Sequence, residues 1–189
     1  MKIPFASFEG MHGPLRDEMM ETFGQMYDEG WFIQGRQCEA FDKEFAAYCG
    51  AEHAIGVASG LDALSLALRA LGVGEGDEVI VPGNTFIATA LAVTYTGARL
   101  ALVDPDPVTQ NMCGKGLEEA LTPRTKAIIP VHLYGQAAQM DEIMDFAHRH
   151  DLFVVEDCAQ AHGATFQGRK RSEERRVGKE CRSRWSPYH

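Results

Sequence analysis

The chain has 189 residues, 45% of them hydrophobic and 24% charged, a composition that suits one globular domain with a core of its own. No apolar run reaches the roughly 18–20 residues of a membrane-spanning helix, and Met1–Phe5 lacks the start of a signal peptide, so a cytoplasmic location is expected. A net charge of −9 argues against a nucleic-acid binder, and five scattered cysteines (Cys38, Cys49, Cys113, Cys158, Cys181) with no CxxC pair support neither a zinc site nor a disulfide framework.

From the N-terminus, Leu15 to Tyr27 reads as a helix, with Met19, Met20, Phe23 and Met26 forming an apolar stripe for core or subunit packing. A turn-rich link through Gly30 and Gly35 leads to a second amphipathic helix, Gln37 to Cys49. Ala54 to Val57 reads as a short strand broken by Ala58–Ser59–Gly60. A strong helix follows, with Leu61, Leu64, Leu68 and Leu71 on one face and Ser59 and Asp62 spaced as a capping box. Strands are expected at Glu78 to Val81, Arg99 to Val103, Lys126 to His132 and Phe153 to Val155. Helices are expected from Asn84 to Tyr95, Gly116 to Leu121 and Met140 to His150. This alternation predicts an α/β fold, a mostly parallel sheet with right-handed crossovers.

Chemistry collects at the predicted strand ends. Phe153–Val154–Val155 runs straight into Glu156–Asp157–Cys158–Ala159–Gln160. In an open α/β sheet, ligands bind at the carboxyl ends of strands. A carboxylate there needs a cationic or hydrogen-bonding partner, and the protonated ring nitrogen of pyridoxal phosphate is one that enzymes pair with Asp. The alternative is that Asp157 merely caps the next element. Ser59–Gly60–Leu61 at a helix N-terminus is either an anion site fit for phosphate or a plain cap. Phe86 suits stacking on a flat heterocycle or core packing. Gln160 is placed to donate to a phenolate oxygen, and His162 either meets substrate or only packs. Neither GxGxxG nor GxxxxGK[ST] is present, so a dinucleotide or P-loop site has no support.

A resemblance covers about Ile3 to Lys170. It rests on Phe32–Gly35, Gly56–Leu64, Gly76–Pro82, Thr85–Thr89, Pro130–Gln136 and Glu156–Ala164. Their collinear motifs are similar to those of the DegT/DnrJ/EryC1/StrS family of nucleotide-sugar aminotransferases that depend on pyridoxal 5'-phosphate (PLP). The resemblance implies the large domain of the type I, aspartate aminotransferase-like PLP fold. It implies that Ser59, Gly60 and Leu61 hold the cofactor phosphate, Phe86 stacks on the ring, Asp157 pairs with the pyridine nitrogen and Gln160 faces the ring hydroxyl. His162 is a weaker substrate-binding candidate. Leu61 stands where the family more often has Thr, which removes one hydroxyl contact and leaves the backbone ones. The implied reaction carries an amino group, from glutamate, to a keto-sugar nucleotide in deoxyamino-sugar or polysaccharide synthesis, in a homodimer.

The family's Schiff-base lysine is expected two dozen or more residues past Asp157, in a Ser–Phe…Lys–Asn context. Lys170 comes too early, and Lys179 has neither the spacing nor the neighbours, so no catalytic lysine is assigned and the chain as written is expected to be inactive. The composition also changes at Arg171: Arg171–His189 holds six basic and three acidic residues, a net +3, which leaves −12 on residues 1–170. This tail resembles the translation of a sequencing-adapter oligonucleotide, so residues 1–170 are expected to be the N-terminal part of the PLP-binding domain, without the C-terminal small domain. A genuine basic tail is the alternative. Two other functions remain open: a lysine-less PLP sugar dehydratase or non-catalytic relative, and a nucleotide-binding module unrelated to PLP.

Overall fold

The computed structural model describes residues 7–166 and 168–170, and the chain divides between Glu44 and Phe45 into two units. In the first unit, α1 (Glu9–His12) and a 3-10 turn carrying Pro14 lead into α2 (Arg16–Glu29). Asp17 and Glu18 sit in the first turn of α2, at the positive end of the helix dipole. Gly30, at φ +66°, closes the helix in the left-handed conformation that glycine adopts without strain. The Met stripe forms as expected, yet no residue of α2 is buried, so it is not core within this chain. α3 (Arg36–Cys49) spans the division, and its buried residues, Ala46 and Cys49, belong to the second unit.

The second unit contains α4 (Gly60–Ala70), β1 (Glu78–Pro82), α5 (Ile87–Thr94), β2 (Arg99–Val103), α6 (Leu117–Ala120), β3 (Thr125–Ile128), α7 (Met140–Arg149) and β4 (Phe153–Val154). The four strands form one sheet in the order β2-β1-β3-β4, and every neighbouring pair is parallel. The expected α/β sheet is therefore present. Of its strands, β1 is buried along its whole length and so reads as a continuous apolar run rather than an alternating one, whereas β2, at the end of the strand order, is buried only at Val103. Period-2 geometry still divides them. Val79, Val81, Ala127, Ile129, Val131 and Val155 pack with Leu64, Leu68, Ala92 and Val93 of α4 and α5. Ile80, Ile128 and Val154 pack with Met140, Ile143, Phe146 and Ala147 of α7 on the opposite face.

The order of the strands fixes where a ligand fits. The chain leaves β1 for β2 on one side, then crosses to β3 on the other, so the direction of winding reverses between β1 and β3. The crevice at the carboxyl ends of the strands flanking such a switch point is the ligand site of open α/β sheets.

Two local expectations need correction. Ala54–Val57 joins no ladder among the described residues, and Ile55 is 73% exposed. Its apolar residues favour an extended chain, but a strand exists only where a neighbour supplies hydrogen bonds. The strand predicted through His132 ends at Ile128 because Pro130 has no N–H to donate. Pairing resumes as a single parallel bridge, Val131 to Asp157. A hairpin of β5 (Thr165–Phe166) and β6 (Arg169–Lys170), turning at Gly168, was not expected. The tail from Arg171 lies outside the described residues.

Candidate functional site

Asp157 continues the line of β4 for three residues beyond its end. Its N–H donates to the Pro130 carbonyl (2.9 Å), and its carbonyl accepts from the His132 N–H (3.0 Å). The backbone is thereby clamped beside the β3 extension. The side chain is 8% exposed and both oxygens are engaged. Oδ1 accepts from the Ala159 N–H at 3.2 Å, and Oδ2 accepts from the Thr89 hydroxyl at 2.9 Å. Asp157 thus caps a turn, not a helix, and in addition bonds across to the first turn of α5. Two of about four lone-pair positions on a carboxylate remain for another donor.

Thr89 links Asp157 to the β1–α5 loop. Phe86, the N-cap of α5, lies three residues before it at the same end of the sheet, with its ring 72% exposed. It is not core. An aromatic left bare at a strand's carboxyl end is available to a flat ring.

Ser59 forms the expected cap on α4. Its hydroxyl oxygen accepts from the Asp62 N–H (3.2 Å) and its O–H donates to the Asp62 carboxylate (2.9 Å), so the reciprocal half of the box runs between side chains. The first intrahelical bond is Ala63 N–H to the Ser59 carbonyl, and the amides of Gly60 and Leu61 therefore precede the ladder. A Cβ built on Gly60 would meet nothing within 4 Å. The fold does not itself require glycine there. Open space beside free helix-start amides is the shape of a phosphate cradle.

Gln160 is on the loop after Asp157 and reaches the β3–α7 loop. Its Oε1 accepts from the Tyr134 N–H at 3.0 Å, which leaves its amide N–H groups as donors. Tyr134 holds a left-handed backbone at φ +59°. Such a conformation costs a non-glycine residue about 1–2 kcal/mol and persists only where neighbours hold it. Here Asn111 adds to the clamp, accepting from the Leu133 N–H (2.8 Å) and donating to the Gln136 carbonyl (3.1 Å). His162 is exposed beside the Phe45 ring at 6.2 Å, a packing contact that uses neither ring nitrogen.

A buried pair behind Asp157 escaped the sequence reading. His132 Nε2 and Glu156 Oε2 lie 3.0 Å apart, and His132 Nδ1 accepts from the Ala138 N–H at 3.0 Å. An acceptor Nδ1 carries no proton, so Nε2–H is the donor to Glu156. Cys158 brings a third potential ligand within 4.8 Å. A metal on Nε2 would require Nδ1 to hold the proton and face the Ala138 N–H, so the cluster is a buried hydrogen-bonding network and not a ligand set.

Comparison with known proteins decides the family. The model described as "DegT/DnrJ/EryC1/StrS aminotransferase family" matches residues 14–180, past the composition break at Arg171. The chain belongs to the DegT/DnrJ/EryC1/StrS aminotransferase family. Over 169 residues it is 48% identical to a dTDP-3-amino-3,4,6-trideoxy-alpha-D-glucose transaminase of Streptomyces venezuelae, covering 89% of this chain and 45% of that protein. It is 53% identical to a UDP-N-acetyl-3-dehydro-alpha-D-glucosamine 3-aminotransferase of Acidithiobacillus ferrooxidans, covering 88% and 45%. Among solved structures, S. venezuelae DesV superposes with a TM-score of 0.88 at 47% identity, over 91% of this chain and 46% of that one. Bacillus subtilis NtdA, solved with bound cofactor PMP (pyridoxamine phosphate), gives 0.84 at 38% identity, over 88% and 39%. The chain thus spans under half the length of these relatives. Membership excludes the reading as a nucleotide-binding module unrelated to PLP. The fold is that of PLP-dependent sugar aminotransferases, in the part that the chain spans.

Proposed function

We propose that this chain is the N-terminal, cofactor-binding part of a PLP-dependent aminotransferase. The whole protein would move an amino group, from glutamate, to a keto-sugar nucleotide for deoxyamino-sugar or polysaccharide synthesis. The observation that carries the reading is the Asp157 carboxylate, buried at the carboxyl end of the sheet and held at both oxygens, with acceptor capacity left over.

The residues fit the group. The Gly60 and Leu61 amides would meet its phosphate, joined by the Ser59 hydroxyl once its proton turns from the Asp62 carboxylate. The bare Phe86 ring would stack on its pyridine, and Asp157 would accept from the ring nitrogen. Gln160, its oxygen already held by Tyr134, would present N–H to the ring oxygen. When bound, the cofactor supplies an electron sink for the amino group's transfer. The protein's share is to orient the ring and hold the ring-nitrogen proton at Asp157. His162 stays at the rim as a candidate for substrate. The exposed Met19, Met20, Phe23 and Tyr27 on α2 support a homodimer, since so large an apolar stripe on one helix suits a subunit contact. Among the described residues no helix is long and apolar enough to cross a membrane, in keeping with a cytoplasmic enzyme.

Titration with pyridoxamine 5'-phosphate, followed by its fluorescence, tests the cradle. Binding that weakens at least tenfold in Asp157→Ala and in Phe86→Ala is the expected result. Equal affinity in the wild type and both variants would overturn the assignment. No amino transfer is expected from the 189-residue chain alone, and cofactor-dependent transfer by it would refute that part.

A further inference from the structure

The hydroxyl that holds Asp157 belongs to a chain of two. Thr89 Oγ1 lies 2.9 Å from Asp157 Oδ2 and also 2.9 Å from Thr85 Oγ1. A threonine hydroxyl has one proton. Asp157 has no proton to give as a carboxylate, so Thr89 spends its proton there and its oxygen accepts from Thr85. The direction is fixed: Thr85 O–H to Thr89 O–H to Asp157 Oδ2. A helical threonine commonly turns its hydroxyl back on the carbonyl three or four residues earlier. Buried Thr89 instead reaches 68 residues along the chain, across to the far side of the switch point. Its backbone N–H is bonded to the Phe86 carbonyl at 3.1 Å, which ties this relay to the exposed ring one turn before it.

We propose that Thr89, backed by Thr85, is a positioning residue that fixes the Asp157 carboxylate for a donor entering the crevice. The inference rests on the cofactor reading above for the identity of that donor, a protonated ring nitrogen. With Oδ1 on the Ala159 N–H and Oδ2 on Thr89, the carboxylate is held from two sides and its plane is set. One rigid element, the start of α5, then carries both the stacking ring and the group that aims the acid. A shift of α5 moves both together.

Thr89→Val removes the hydroxyl while keeping the shape, Thr89→Ser keeps the hydroxyl, and Thr85→Val removes only the outer donor. The first readout needs no cofactor: amide hydrogen exchange at Ala159, whose N–H bonds the freed carboxylate. About tenfold faster exchange at Ala159 in Thr89→Val, with Ile129 and Val155 unchanged and Thr89→Ser like wild type, supports the relay. Thr85→Val should fall between. The second readout is affinity for pyridoxamine 5'-phosphate against its analogue with carbon in place of the ring nitrogen. The expected result is about tenfold weaker binding of the first in Thr89→Val, with the analogue unaffected. Unchanged exchange at Ala159, or equal weakening for both probes, overturns the proposal and leaves the cofactor reading standing. Altered exchange with no binding of either probe by the wild type overturns the cofactor reading, and the proposal falls with it.

Discussion

His132→Leu is the perturbation that the buried network makes most costly. The imidazole gives Nε2–H to Glu156 and takes the Ala138 N–H at Nδ1, both at 3.0 Å and away from water. Leucine fills a similar volume and serves neither partner. Losing a hydrogen bond to a buried carboxylate costs about 1.5–3 kcal/mol. Glu156 keeps a further interaction, so the lower end, about 1.5 kcal/mol, applies. The stranded Ala138 donor adds about 1–3 kcal/mol. The total, about 2.5–4.5 kcal/mol, is a large share of the roughly 5–15 kcal/mol that holds a domain folded. Urea unfolding of the wild type, His132→Leu, Glu156→Leu and the double variant would measure it. If the pair acts as one unit, the double variant costs less than the two singles added together, by about 1 kcal/mol or more. A His132→Leu cost below about 1 kcal/mol, or strict additivity, would refute the reasoning.

Glu78 lies at the opposite end of β1, where the Thr122 hydroxyl, and then the Arg124 guanidinium (2.7 and 2.9 Å), hold its carboxyl below its ordinary value of 4.5. A depressed carboxyl adds stability that is full above the unfolded value and lost as pH falls through the folded one. Thr122→Val should therefore shrink the loss of stability seen on acidification below about pH 4.5, as followed by thermal unfolding. Gly163→Ala should destabilise, because the residue has φ +78° and its Cβ would lie 2.3 Å from Tyr48 Oη. Adding Tyr48→Phe should restore part of the loss but not the cost of the left-handed backbone, about 1–2 kcal/mol, and full recovery would contradict this. Gly60→Ala should leave the melting temperature equal or higher, since nothing stands within 4 Å, while weakening pyridoxamine phosphate binding by crowding the phosphate; unchanged binding would remove Gly60 from the cradle.

Much of this arrangement was legible in the order of residues. Continuous apolar runs at Glu78–Pro82, Arg99–Val103 and Phe153–Val154, alternating with helical stripes, predict the parallel sheet, because a crossover helix must follow each such strand. Ser59 three residues before Asp62 predicts the cap, which involves only neighbours in sequence. Asp157 just past an apolar run predicts a carboxylate held by hydrogen-bond donors, because a charge there must find a partner.

Which partner it finds was not legible. Asp157 carries no mark that points to Thr89, 68 residues away, and His132 carries none that points to Glu156, 24 residues away. The same limit explains Ala54–Val57: its residues favour extension, but the ladder depends on a neighbour that no local pattern specifies. Helix and strand periods are local, set by the geometry of one element. Strand order, the reversal between β1 and β3, and hydrogen bonds between loops follow from burying both faces of the sheet at once, and only the assembled chain satisfies that condition.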